Sequence, residues 1–209
     1  MIFMKKRIKM MLGILLCVCL SACGSGAVIN SNKIATTNDG QLMKQTLQYY
    51  QKGQFKKATD SAKRLSKVFN SEYTMSEGMK KAYNKLLAGK DVTAYYLYDI
   101  DNDGKPELCY VVGEIEASMT MYVVSYKNKL IKDGSIACGH SVFNAYPQHN
   151  GMVMLMGQMG YEEISLMTLK NNKLKVKTLN DRENVKDYLP LGLSLNDHTA
   201  NGKLNRVIK

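Results

Sequence analysis

Apolar and polar positions alternate with two different periods along this chain, and the change from one to the other divides it. Through residues 41–69 the period is helical. Leu42, Met43, Leu47 and Tyr50 recur at helical spacing, with polar Lys44, Gln45 and Gln48 between them. Gly53 interrupts the run, and Phe55, Ala58, Ala62, Leu65 and Phe69 resume it. The pattern predicts two helices joined at Gly53. Met79, Ala82, Tyr83, Leu86 and Leu87 predict a third, opened by a capping box at Thr74-Met75-Ser76-Glu77 and closed at Gly89.

After Lys90 the pattern shortens to strands rich in β-branched and aromatic residues. They are expected at Val92 to Tyr98, Glu107 to Val112, Met119 to Tyr126 and Leu130 to Ile136. Val142 to Tyr146, Met152 to Gln158, Ile164 to Lys170 and Leu174 to Leu179 follow. Lys127-Asn128-Lys129, Asn150-Gly151 and Asn171-Asn172-Lys173 are short turn sequences, so neighbouring strands should pair antiparallel. No helix-length segment separates the strands, which argues against a parallel sheet. The expected fold is therefore α+β: an N-terminal helical hairpin and a third helix packed with an antiparallel β-meander of about seven to eight strands. A short helix over Asp181 to Leu189, stopped by Pro190, and a loosely ordered end complete the expectation.

The first 22 residues follow neither pattern. Lys5-Lys6-Arg7-Ile8-Lys9 is a cluster of positive charge, and Met10 to Leu20 is apolar. At about 1.5 Å per residue such a run is too short for a hydrocarbon core of about 30 Å, but it suits the centre of an export signal. Leu20-Ser21-Ala22-Cys23 follows, and this tetrapeptide resembles the lipobox of bacterial lipoproteins. The resemblance implies diacylglyceryl transfer to the Cys23 thiol, cleavage just before it, and an extracytoplasmic chain anchored to the bacterial cell membrane. Residues 24–40, rich in Gly, Ser, Asn and Thr, read as a tether between lipid and domain. The expected organisation is a signal at 1–22, lipidated Cys and tether at 23–40, helices at 41–90, a β-domain at 91–180 and a tail at 181–209.

Charge changes meaning once the signal is set aside. The formal net charge of +11 includes four from the signal. Residues 41–90 carry +8, residues 91–165 carry −6, and residues 166–209 carry +5. Lys56, Lys57, Lys63, Arg64 and Lys67 read as a solvated helical face, or one that meets an anionic envelope polymer or lipid headgroups. Export argues against a nucleic-acid partner. Tyr50-x-x-Gly53-x-Phe55-x-x-Ala58-x-x-x-Ala62 resembles the hairpin of one tetratricopeptide repeat, but a single copy is no solenoid.

One segment carries recognisable chemistry. Asp99-Ile100-Asp101-Asn102-Asp103-Gly104-Lys105-Pro106-Glu107 spaces carboxylates at alternate positions around a glycine. Ca²⁺ takes six to eight hard oxygen ligands, and alternate residues of a tight loop can aim oxygens at one centre. The segment resembles the first half of an EF-hand or dockerin loop. It departs from the EF-hand where Tyr110 replaces the bidentate glutamate and a strand replaces the following helix. It is closer to the strand–loop–strand calcium site of FG-GAP-type repeats. That resemblance implies Asp99, Asp101, Asp103 and Glu107 as side-chain ligands, Lys105 as a carbonyl ligand, and a structural Ca²⁺.

The other reactive groups are less organised. Cys109 and Cys138 either bridge as a disulfide or sit apart as buried thiols; spacing alone does not decide. Cys138-Gly139-His140 lacks a recognisable third member or oxyanion feature. Alternating Met152, Met154 and Met156 read as core rather than as a Cu(I) site, and Tyr95, Tyr96 and Tyr98 read as strand residues rather than a sugar-binding ledge. The leading expectation is a non-enzymatic surface lipoprotein that binds a partner. The alternative is an extracytoplasmic hydrolase or cell-wall-processing enzyme whose site is assembled from distant residues.

Overall fold

The computed structural model describes residues 37–66, 73–88 and 91–194. The export signal, Cys23 and most of the tether lie outside the described residues, as do Gly89 and the tail from residue 195. Contacts within the chain separate Met1–Ser31 from Asn32–Lys209, and every described residue belongs to the second unit. Among the described residues, no helix is long and apolar enough to cross a membrane.

The elements are α1 (Thr37–Gln51), α2 (Phe55–Ala62) and α3 (Glu77–Ala88), followed by β1 (Val92–Tyr98), β2 (Glu107–Val112), β3 (Thr120–Tyr126), β4 (Leu130–Ala137), β5 (Ser141–Ala145), β6 (Met152–Gln158), β7 (Tyr161–Leu169), β8 (Leu174–Arg182) and the two-residue β9 (Leu193–Ser194). The strands do not form one meander. They make two antiparallel sheets, ordered β1-β2-β3-β4 and β8-β7-β6-β5-β9. The expected α+β arrangement around a single meander of seven to eight strands is overturned, and the described chain is mostly β.

The reason lies in what the strands must bury. Ala94, Tyr96 and Tyr98 of β1 are buried on one face, while on the other Val92 is buried and Tyr95 and Leu97 are half-buried. Both faces of each sheet therefore need cover, which three short helices could not give to one broad sheet. Two sheets solve this by packing against each other. Tyr96, Cys109, Met121 and Val123 of the first sheet share an inner core with Phe143, Met152, Met154 and Met167 of the second. The outer face of the first sheet packs Leu108, Tyr110 and Val124 against Met79, Tyr83 and Leu87 of α3. The outer face of the second packs Val153, Leu155 and Ile164 against Met43, Leu47, Tyr50, Ala58 and Ala62 of α1 and α2. Four layers result.

Several local expectations are also corrected. The tether does not run to residue 40, because α1 already begins at Thr37. Gly40 is a packing residue in that helix: a Cβ there would collide with the Pro147 carbonyl. Helix α3 is capped by Ser76, whose Oγ accepts the Met79 amide at 3.2 Å, and not by Thr74. Asp181 and Arg182 extend β8, and residues 183–189 are not helical. Here tertiary partners outweigh helical periodicity. The fully buried Glu162 accepts Arg182 Nε at 2.6 Å and the Leu189 amide. That holds the segment extended along β7.

Candidate metal centre

The acidic segment is the hairpin loop between β1 and β2, closed by the pairing of Tyr98 with Glu107. Its shape follows from its own side chains. Asp99 Oδ1 accepts the amide of Asp103 at 2.9 Å, and Oδ2 accepts that of Gly104 at 2.8 Å. These bonds fold the loop back over Asp99. Gly104 stands at φ +87°, a left-handed conformation in which a Cβ is strained.

Three neighbours fix this loop to the rest of the fold. Ile100 is fully buried, and its carbonyl accepts the Gly151 amide at 2.7 Å from the β5–β6 connection of the other sheet. Tyr83 of α3 donates its hydroxyl to the carbonyls of Pro106 at 3.0 Å and Val124 at 3.2 Å. The Asp99 amide donates to the Tyr73 hydroxyl at 3.3 Å.

The fixed loop brings carboxylate oxygens of Asp99, Asp101 and Glu107 within 4.8 Å of one another. Two oxygens on one Ca²⁺, each at 2.3–2.6 Å, can stand no more than about 5 Å apart. The triad can therefore hold a metal ion, and its donors are the hard oxygens that favour Ca²⁺ or Mg²⁺ over softer metals. Asp101 adds a second sign: its Oδ1 is buried and has no hydrogen-bond partner. A buried carboxylate oxygen left this way is costly unless something positive reaches it.

The predicted ligands do not all converge. Asp103 is exposed and outside the triad, its Oδ1 occupied by the Lys105 amide at 2.9 Å. Lys105 is exposed, and its described bond is through that amide rather than its carbonyl.

Electrostatics record the strain of the convergence. Burial, reinforced by Asp101, Asp99 and Asp103, pushes the Glu107 carboxyl up to about 8, against the restraining Ile100 amide at 2.8 Å. The Asp101 carboxyl is also raised, first by burial and then by Asp103 and Asp99, while Lys127 opposes the shift.

Asp133 on β4 belongs beside this centre, and sequence reasoning missed it. The Ser125 hydroxyl stands 2.6 Å from Asp133 Oδ2 and 3.5 Å from Glu107 Oε1, linking two carboxylates that are both buried. Asp133 Oδ1 is buried without a hydrogen-bond partner. Burial raises this carboxyl too, with Ser125 holding it down. Its one sequence signal is an acid in the middle of an otherwise strand-like run, Leu130 to Ile136.

The remaining candidates separate. Cys109 and Cys138 are free, buried thiols in the inner core, so the bridge considered for them is not made. Burial pushes Cys138 up to about 12 and Cys109 well above the usual thiol range, which keeps both in the unreactive thiol form. His140 faces Glu116 at 3.5 Å rather than forming a pair with Cys138. Met152 and Met154 are buried and Met156 is half-buried, so this row offers no exposed thioether to a copper ion. Tyr96 and Tyr98 point into the inner core, while Tyr95 lies on the α3 side, so the three form no common ledge. No known protein family, curated protein or solved structure matches the chain.

Proposed function

We propose that this chain is an exported bacterial lipoprotein, anchored to the extracytoplasmic face of the cell membrane through acyl chains on Cys23, whose β-sandwich holds a structural Ca²⁺ and acts as a binding module. The observation that carries the calcium reading is the convergence of Asp99, Asp101 and Glu107, together with the buried, unpartnered Oδ1 of Asp101. Asp103 can add its second oxygen, and the Lys105 carbonyl a further one, as the FG-GAP-type spacing implies. The ion would neutralise a loop whose carboxylates otherwise repel, and would tie β1 to β2 where the Gly151 amide already joins the sheets. Its role is to fix shape: the ligands come from one hairpin packed on a core.

The anchoring reading rests on Leu20-Ser21-Ala22-Cys23 behind a basic and apolar leader. Two acyl chains suffice for stable attachment where one is marginal. The non-enzymatic reading rests on the separation of the reactive groups, with both core thiols buried and His140 facing Glu116.

Calorimetry tests the ion directly. Wild-type protein should bind Ca²⁺ with a rise in melting temperature, and Asp101→Ala should lose both; a wild type that shows neither would sink the calcium reading. Cell fractionation of Cys23→Ala should move the protein out of the membrane, and an unchanged membrane fraction would count against the anchor.

A further inference from the structure

Four connections lie at one end of the sandwich: the β1–β2 loop, the β3–β4 turn, the β5–β6 connection and the β7–β8 turn. They are physically joined. The Gly151 amide reaches Ile100, and Lys127 Nζ donates to Asn172 Oδ1 at 3.2 Å. The N-terminus of α1 is at the same end, because Gly40 packs against Pro147 of the β5–β6 connection. The chain therefore enters the domain beside the acidic loop.

Lysines ring this end. Lys105, Lys127, Lys129, Lys170 and Lys173 are all exposed on its turns. The same end carries five carboxylates, Asp99, Asp101, Asp103, Glu107 and Asp133, of which Glu107 and Asp133 are buried. The formal balance is zero, and one divalent ion in the loop raises it to +2.

We propose that this end is the membrane-facing surface of the protein and docks on anionic phospholipid headgroups through Lys105, Lys127, Lys129, Lys170 and Lys173. The inference rests on the anchored, calcium-binding reading above. A lipid on Cys23 precedes Thr37 by fourteen residues. A chain spans at most about 3.6 Å per residue, so the start of α1 stays within about 50 Å of the headgroups. The turn lysines are thus presented at high local concentration to headgroups whose negative charge attracts them. Calcium strengthens the contact by cancelling the loop carboxylates that would repel the lipid. The basic helical residues Lys56 and Lys57 are the internal comparison, because they lie at the start of α2 beside Phe55, which stacks on Arg182 at the far end of β8.

The test uses the full lipidated protein in vesicles of one part phosphatidylglycerol to two parts phosphatidylcholine, and in vesicles of phosphatidylcholine alone. A water-soluble amine reagent, read by mass spectrometry, reports each lysine. The five turn lysines should be modified severalfold more slowly on the anionic vesicles, more so with Ca²⁺ than with a chelator, and lose the protection in high salt. Lys56 and Lys57 should not change. Equal modification on both vesicles, or protection of the α2 lysines instead, overturns the proposal. So does protection that appears only with added polyphosphate, which assigns the surface to an envelope polymer. Protection on neutral vesicles that grows with protein density assigns it to a second copy and overturns it too. Protein that fails to float with vesicles refutes both anchor and docking. Protection indifferent to Ca²⁺, in a protein that shows no calorimetric binding, removes the ion and leaves the docking.

Discussion

The Tyr83 hydroxyl of α3 lies 3.0 Å from the carbonyl oxygen of Pro106, the residue before Glu107. Tyr83 has no exposed surface, and the same hydroxyl lies 3.2 Å from the Val124 carbonyl. One helical side chain thus holds the end of the acidic loop against the next strand. Tyr83→Phe keeps the ring and leaves the two carbonyls short of a donor, so stability should fall by about 1–3 kcal/mol in denaturant unfolding. Calcium affinity should weaken as well. An unchanged midpoint with unchanged slope would show that the hydroxyl holds nothing.

Stability without metal should depend on pH through Glu107. Its carboxyl sits at about 8 in the folded protein, against an ordinary value of 4.5. The folded state binds more protons than the unfolded state between those values, so stability falls as pH rises through that window. The expected loss is on the order of a few kcal/mol from about pH 5 to pH 8. Ca²⁺ should restore it, and should bind more tightly as pH rises because it competes with the proton. Glu107→Gln should flatten the metal-free profile. A wild-type profile that is flat or rises with pH in chelator contradicts the buried carboxyl.

Gly40→Ala sets two effects against each other. Alanine in a helix gains about 1 kcal/mol over glycine. At this position, however, the new Cβ runs into the Pro147 backbone, which cannot swing aside like a flexible side chain. Packing should win, with a net loss of about 1–3 kcal/mol in thermal or denaturant unfolding. A stabilised variant would show that α1 does not approach the β5–β6 connection.

Arg182→Ala should cost about 3–5 kcal/mol, because it strands the fully buried Glu162 without its counter-charge. The guanidinium also lies 4.7 Å from the Phe55 ring centroid, so the loss extends to the α2 interface. The double variant Arg182→Ala, Glu162→Gln should recover part of the difference. No recovery in a double-mutant cycle would mean that the stacking on Phe55, and not the ion pair, dominates.

Cys109 and Cys138 should resist a thiol reagent in the native protein and react together on unfolding, since both are buried. A native mass two hydrogens lighter after oxidative export would reveal a bridge instead.

What the chain discloses before folding is unequal. The strand segments are visible because Val92 to Tyr98 and Glu107 to Val112 combine β-branched and aromatic residues with clear turns. Their division into two sheets is not. The step from β4 to β5, Cys138 to His140, is as short as a hairpin turn, and only burial on both faces of the strands requires the chain to change sheets there. The short helix expected at Asp181 to Leu189 fails for a similar reason: Glu162 lies about twenty residues upstream, and no local window contains it. At the metal centre, Asp99, Asp101 and Glu107 were legible from spacing within one loop. Asp133 was not, because its place near Glu107 depends on the pairing of β3 with β4. Asp103 fits the spacing and yet stands outside the triad, with one oxygen held by the Lys105 amide.

The contact between Gly40 and Pro147 also decides where mechanical load enters the domain. A force applied at the start of α1 acts beside the β5–β6 connection, four residues before the Gly151 amide that donates to Ile100. It is borne by the packing of Met43, Leu47 and Tyr50 on α2 and the second sheet. Handling of the α1 start and the geometry of the acidic loop therefore meet at one end of the sandwich.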